Sequence, residues 1–345
     1  MSVTINDVAR LAGVSKKTVS RVLNEEDSVH PLTREKVYAA MSQLNYRPNI
    51  SAKRLAQGRS WVVGLILHRA SWHYIDLIIQ GALSVLNQAG YKLIIHSCDV
   101  EGEEGRENVL QLVRERQVDG LIFIPPTDNA SELLQQLHAW KTPFVRISSS
   151  DVIYHWPFVA NDDFQGAFDM TSHLLDLGHR RIGFIQGDPS HSSSHQRLLG
   201  YVAALEKYNV SPDDDLIKSG DFFFDSALEA AISLLTSSHP PTAIFASNDD
   251  MAAGVLSAAH SLGIHVPLEL SVAGFDDVPL ARHVWPPLTT VHQSIYDMAQ
   301  EATQLLLQLM AGESPDHLHR VMPTSLVVRA STGPVRKHIK PEISN

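Results

Sequence analysis

From Trp61 onward, apolar runs of strand length alternate with stretches in which apolar residues recur every three or four positions. WVVGLIL, YKLIIHSC, GLIFIPP and PFVRISS predict buried strands, separated by helices near 75–88, 106–116 and 131–140. A second series follows the same plan. RIGFIQG, AIFASND and SVAGFDD predict strands, with helices near 164–177, 197–208, 226–235 and 250–262. Gly90, Gly178 and Gly263 each stand where a helix must stop before a strand, the usual place for a left-handed terminating glycine. The alternation predicts an α/β fold with two parallel-sheet lobes flanked by helices and joined by right-handed crossovers.

Before Trp61 the pattern is helical and the elements are shorter. In TINDVARLAGVSKKTVSRVLN, residues 4–24, Ile5, Val8, Ala9 and Leu11 give a first helix one apolar face, and Thr4 with Asp7 has the form of a capping box. Gly13 supplies a turn, Val14 fills the gap behind it, and Ser15 can cap a second helix whose Val19, Val22 and Leu23 face inward. A third helix is expected over about 32–44, with Val37, Ala40, Met41 and Leu44 completing a small core. Its start is poorly marked, because His30 stands where a short N-cap is expected. Residues 49–58 are basic and weakly apolar, too short to form a stable helix alone.

Charge sharpens this division. The 345 residues carry a net charge of -10, but residues 1–60 hold ten Lys and Arg against five acids, while the remainder holds 18 against 33. A basic end on an acidic body suits a polyanion at one end only. The single Cys98 excludes an intrachain disulfide and reads as a buried strand residue in a reducing compartment. No leader pattern and no apolar run near the ~18 residues of a membrane span is present, so a cytoplasmic protein without membrane contact is expected.

The outer face of the second helix carries Lys16, Lys17, Thr18, Ser20, Arg21 and Asn24, with no acid before Glu25. An ordinary solvated helix mixes signs. A face of cations, hydroxyls and an amide suits phosphates and base edges in a major groove. DVARLAGVSKKTVSRVLN resembles the helix-turn-helix signature of the LacI/GalR family of bacterial transcription regulators. The likeness continues through TREKVYAAMSQLNYRPNISAKRLAQG and over nearly the whole chain.

The resemblance implies a DNA-binding headpiece over 1–46, a hinge helix and linker over 47–60, and a periplasmic-binding-protein-like core over 61–331. Chain crossings near Asn161, His292 and Met322 would give lobe one 61–160 and 293–321, and lobe two 162–291 and 323–331. The tail over 333–345, rich in Pro and charge and without heptads, is expected to be disordered. DNA contacts would come from Thr4, Ser15, Lys16, Lys17, Thr18, Ser20, Arg21 and Asn24, and from hinge residues Asn49, Ala52 and Lys53. Leu55 falls where the family wedges a leucine into the central base step of the minor groove.

Ligands of open α/β sheets sit beyond the carboxyl ends of the strands, which with two lobes means the cleft between them. By the resemblance, Arg197, Asn248 and Asp276 hold an effector's polar groups and Phe222 stacks on it; Asp163 lies just past the crossing at Asn161, and Trp72 and Tyr74, just after the GLIL strand, are placed to add a second aromatic wall. These residue types suit a sugar: carboxylate and amide for hydroxyls, a guanidinium fork, and an aromatic face for the C–H side of the ring. Each has an ordinary alternative taken singly, since Asp276 can cap a turn and Phe222 can be core.

Chemistry of other kinds lacks its framework. GxSxG, GxGxxG and P-loop patterns are absent. His191 and His195 have metal-ligand spacing, but HSSSH after Gly-Asp-Pro reads as a loop, and no metal or cofactor is expected. The pairs Asp249–Asp250 and Asp276–Asp277 could serve an acid–base enzyme, yet the resemblance accounts for them without one. It implies a repressor of carbohydrate-utilisation genes, a homodimer on a near-palindromic double-stranded operator, released by a small-molecule sugar effector. A corepressor design, in which a purine or sugar phosphate tightens DNA binding, stays open. The wedge is testable now: Leu55→Ala should lower operator bending and specific affinity, read by fluorescence energy transfer on end-labelled duplexes, whereas an unchanged bend would rule the wedge out.

Overall fold

The computed structural model describes residues 3–23, 26, 28–46, 59–69, 71–148 and 156–335. Asn24 and the hinge positions Asn49, Ala52, Lys53 and Leu55 therefore lie outside the described residues. The chain divides into two units, Met1–Ser60 and Trp61–Asn345.

The first unit is a set of helices, α1 (Ile5–Ala12), α2 (Lys16–Leu23) and α3 (Pro31–Gln43). Thr4 donates from its backbone N–H and from its hydroxyl to Asp7 Oδ2 at 2.9 and 2.7 Å, closing the capping box and holding the Asp7 carboxyl below its ordinary range. Gly13 turns the chain at φ +66°, and Ser15 Oγ accepts from Thr18 N at 3.0 Å to start α2. His30 takes the part usually played by a short polar residue: its Nδ1 accepts from Leu32 N at 3.3 Å. Val8, Val19, Val22 and Val37 form the buried centre. Leu11, expected on the inner face, is 45% exposed, and Ala12 packs against the core instead.

The second unit contains β1 (Val62–Leu67), α4 (Trp72–Ala89), β2 (Lys92–Ser97), α5 (Glu103–Arg114), β3 (Gly120–Phe123), α6 (Ser131–Ala139), β4 (Phe144–Ile147) and β5 (Phe158–Asn161). It continues with α7 (Asp163–Asp176), β6 (Ile182–Gln186), α8 (Ser192–Lys207), β7 (Ile217–Ser219), α9 (Phe224–Leu235), β8 (Ala243–Ala246) and α10 (Asp249–Ser261). The remaining elements are β9 (Ser271–Ala273), α11 (Leu280–His283), β10 (Thr290–His292), α12 (Ile295–Met310), β11 (His319–Met322) and β12 (Ser325–Val327).

Two parallel sheets result. One has the order β11-β5-β4-β3-β1-β2 and the other β7-β6-β8-β9, with β10 and β12 forming a separate antiparallel pair. β1, β3 and β4 are buried along their whole length, as uninterrupted apolar runs demand when helices cover both faces. β2 departs from the expectation. It is the edge strand, its Ile95 is 53% exposed, and Cys98 lies half-buried just past its end. The short strands β5, β10, β11 and β12 and the long α12 are additional to the expected elements, although the buried Ile295, Met298, Ala299, Ala302, Leu305 and Leu306 give α12 a clear helical spacing.

The chain passes between the sheets after Asn161, where β5 gives way to α7, again between Val291 and Ile295, and again between Met322 and Ser325. The expected disorder of the tail does not begin at Gly333: Gly333 N donates to Ser271 Oγ at 3.0 Å and Val335 N donates to Leu177 O at 3.0 Å. Residues 336–345 lie outside the described residues.

Close helix packing frames the first sheet. α4 and α12 cross at Gly81, where an added Cβ would lie 2.3 Å from the Tyr296 carbonyl oxygen. Gly81→Ala should therefore destabilise the unit by about 1–3 kcal/mol, because overpacking outweighs the helix-propensity gain of alanine. A urea midpoint that stays put or rises would mean that the two helices separate without cost.

Candidate functional site

On α2 the buried Val19 and Val22 leave Lys16, Lys17, Ser20 and Arg21 exposed along one side, with Thr4 exposed ahead of α1. Thr18 is half-buried, its hydroxyl 2.8 Å from Ser15 Oγ. The Arg21 guanidinium is not idle: its Nε lies 3.5 Å from Glu26 Oε2. Both groups are about half exposed, so this pair is weak and a phosphate or base edge can displace the carboxylate.

A cavity of about 470 Å³ opens between the two sheets of the second unit. Each of its principal side chains is placed by a local rule. Asn248 caps α10, accepting from Met251 N at 2.9 Å through Oδ1, while its Nδ2 donates to the Phe222 carbonyl at 3.0 Å. Phe222 is held at φ +69° with its ring over Gly187, where any Cβ would fall 2.1 Å from the ring. Asp276 sits at φ +114° just past β9, and Gln293 Nε2 donates to its Oδ1. HSSSH is not the expected loop. His191 is the N-cap and Ser192 the first residue of α8, which brings Arg197 into the second turn.

Arg197 is the electrostatic centre. It is 4% exposed, its Nε and Nη2 each 2.8 Å from Asp163 Oδ1, its Nη1 3.5 Å from Asp276 Oδ1 and bonded to the Ser247 carbonyl. The guanidinium carbon lies 3.7 Å from the centre of the Phe275 ring. Burial raises the Asp163 carboxyl despite Arg197, and it pushes Asp276 up to about 7, opposed by Arg197 and the Gln293 hydrogen bond. Burial also raises Asp249, assisted by Asp276, although Thr290 and Val278 N hydrogen-bond its carboxylate. His191 is driven down to about 4 by burial and is neutral at pH 7. The Tyr74 hydroxyl, 2.6 Å from Ser148 Oγ, is raised by burial and stays protonated.

Tyr74, Arg197, Phe222, Asn248 and Asp276 all line the cavity. Asp163 does not reach it but holds Arg197. Trp72 is a correction: it opens α4, is 79% exposed and is not among the lining residues. The sequence reading missed Arg69, Ser71, Ser148, His191, Ser193 and Gln293. Arg69 and Ser148 lie two and one residues past the carboxyl ends of β1 and β4, and that rule could have found them, whereas Gln293 follows the three-residue β10 of the antiparallel pair.

Among the described residues, no three His, Cys, Asp or Glu side chains are placed to hold a metal, and no helix is long and apolar enough to cross a membrane. The lining offers serine hydroxyls, amides, a phenol, two guanidinium groups and the Asp276 carboxyl, groups suited to holding a polar molecule.

Comparison with known proteins gives consistent matches. Residues 4–49 match the lacI family of bacterial regulatory proteins, and residues 171–332 match the periplasmic binding protein-like domain. Catabolite control protein A of Priestia megaterium is 35% identical over 333 residues, covering 96% of this chain and all of that protein. The lac repressor dimer bound to operator and the anti-inducer ONPF is similar at a TM-score of 0.84 and 31% identity, over 96% of this chain and all of that one. The complex of the transcriptional regulator CelR with cellobiose is similar at a TM-score of 0.74 and 30% identity, with the same coverage.

The buried carboxyl sets a pH dependence. Asp276 is held near 7 in the folded chain against an ordinary 3.8, so the folded state keeps a proton that the unfolded chain has released. Its contribution to stability is full below about 4 and is lost as pH rises to about 7. Thermal unfolding across pH 4.5–7.5 should show a steeper loss for the natural chain than for Asp276→Asn, and parallel curves would contradict this placement of the proton.

Proposed function

The chain belongs to the lacI family of bacterial regulatory proteins and is a DNA-binding transcription regulator, not an enzyme; on that premise we propose that it represses carbohydrate-utilisation genes and leaves its operator when a neutral sugar fills the Arg197 cavity. The observation that carries this reading is the lining. An aromatic face at Phe222 suits the C–H side of a sugar ring, and Asn248, Asp276 and the Tyr74–Ser148 pair suit its hydroxyls.

Two copies would pair through their cores in the cytoplasm, setting two α2 faces on the half-sites of a near-palindromic duplex. Arg21, Lys16, Lys17 and Ser20 would read or brace the major groove, and the hinge segments with Leu55 would meet in the minor groove between them. A sugar that prefers one relative setting of the two sheets then shifts the population toward it. Operator affinity falls by the same coupling, on the order of 1–3 kcal/mol.

A thermal-shift screen of the purified chain against monosaccharides, disaccharides, sugar phosphates and nucleobases tests the ligand class, since a ligand at ~100 times its dissociation constant adds about 2.7 kcal/mol of stability. Arg197→Ala should abolish the shift from a neutral sugar while operator binding in its absence is retained. Because that change strands the buried Asp163, Phe222→Ala serves as a second variant and should weaken the sugar at least tenfold with the ion pairs intact. A shift only with phosphates or bases, or full sugar binding by both variants, would overturn the reading.

A further inference from the structure

Beside the Arg197 cavity, and sharing Arg69 and His191 with it, lies a second chamber of about 850 Å³. Its walls come from the segments just past the carboxyl ends of four strands: Arg69 after β1, Asp99 and Glu101 after β2, Asp188 after β6, and Asp221 with Phe223 after β7. Both sheets thus contribute to it, as they do to the inner cavity. We propose that the ligand held at Arg197 continues into this chamber, and that it is an uncharged carbohydrate of at least two units rather than a phosphorylated monosaccharide. This rests on the sugar reading of the inner cavity.

Continuity comes first. Two walls are common to both spaces, so a substituent on a ring seated at Arg197 has a path outward past Arg69 and His191. The outer chamber repeats the inner one's chemistry. It has an aromatic face in Phe223, whose ring centre lies 5.9 Å from the Arg69 guanidinium carbon, as Phe222 lies 5.9 Å from that of Arg197. It also has acceptors for hydroxyls. Asp99, Asp188 and Asp221 each fix Oδ1 by local bonds, from Glu101 N at 3.0 Å, from Ser190 N at 2.8 Å, and from Phe223 N at 3.0 Å. Among the described residues, Oδ2 of each makes no hydrogen bond and is available to a ligand hydroxyl.

The sign of the chamber decides between a second sugar unit and a phosphate. Four carboxylates face one permanent cation, Arg69, and the shared His191 ring is neutral at pH 7 because burial holds it near 4. Burial alone would raise Asp188, but its Ser190 hydrogen bonds and the neighbouring His191 and Arg69 pull it below its ordinary value, so it is ionised. A phosphate dianion entering here meets net repulsion, whereas a hydroxyl-rich ring meets acceptors.

Calorimetric titration of the full chain with glucose, galactose, cellobiose, maltose, lactose, trehalose, glucose 6-phosphate and trehalose 6-phosphate tests the proposal. The expected result is one disaccharide binding at least tenfold tighter than its own monosaccharide, and no phosphate ester binding as tightly as the free sugar. Phe223→Ala should erase most of that tenfold advantage and leave monosaccharide affinity unchanged, while Glu101→Gln with Asp188→Asn should narrow the gap between trehalose and its 6-phosphate. Equal affinity for a disaccharide and its monosaccharide, tighter binding of a phosphate ester, or an advantage that survives Phe223→Ala would overturn the two-chamber ligand while leaving the inner sugar site standing. Binding by none of the sugars would remove the reading beneath it as well.

Discussion

A guanidinium taken almost wholly out of water must have its charge answered, and Arg197 is answered from three directions. Asp163 starts the first helix after one passage between the sheets, Asp276 lies beside the next, and Ser247 follows β8 directly before the Asn248 cap. The cost of burying these charges is met only while all three segments keep their places. Ligand contacts, backbone passages and buried charge therefore share one small set of residues. A ligand that altered this buried ion-pair cluster would act on the segments that carry the chain between the sheets.

The DNA-binding end works under the opposite constraint. Its centre is a handful of small apolar side chains, Val8, Val19, Val22 and Val37 among them, with caps at Thr4, Ser15 and His30 supplying the local order that so small a core cannot. That leaves nearly every long side chain of α2 free for a partner. Its exposed cations are available to a partner because none is needed to hold the helices together, and Arg21 is only loosely paired with Glu26.

Much of this was legible before any coordinates. Uninterrupted apolar runs mark β1, β3 and β4 because strands covered on both faces tolerate nothing else, and the Ala-Gly-Val-Ser turn with its cationic face marks the headpiece. The site was half legible. Arg197, Phe222, Asn248 and Asp276 were placed at the cleft by a family likeness and Tyr74 by its position after the GLIL strand; Arg69 and Ser148 were within reach of the same strand-end rule, whereas Gln293 follows β10, a three-residue strand that leaves no readable run. Trp72 failed for a related reason: lying two residues before Tyr74 puts it about 200° round the same helix, and so in solvent. His30 capped its helix despite its type, because a ring nitrogen can accept a backbone hydrogen as well as a hydroxyl can.

The most direct test of the account is the operator dissociation constant measured by fluorescence anisotropy with and without the sugar that stabilises the chain, at fixed salt because phosphate contacts make affinity salt-dependent. Occupation of the Arg197 cavity should weaken operator binding by roughly 5–150-fold, and operator should weaken the sugar by the same factor. Operator affinity that rises, or that does not change while the cavity is demonstrably filled, would contradict the coupling on which the proposed repressor rests.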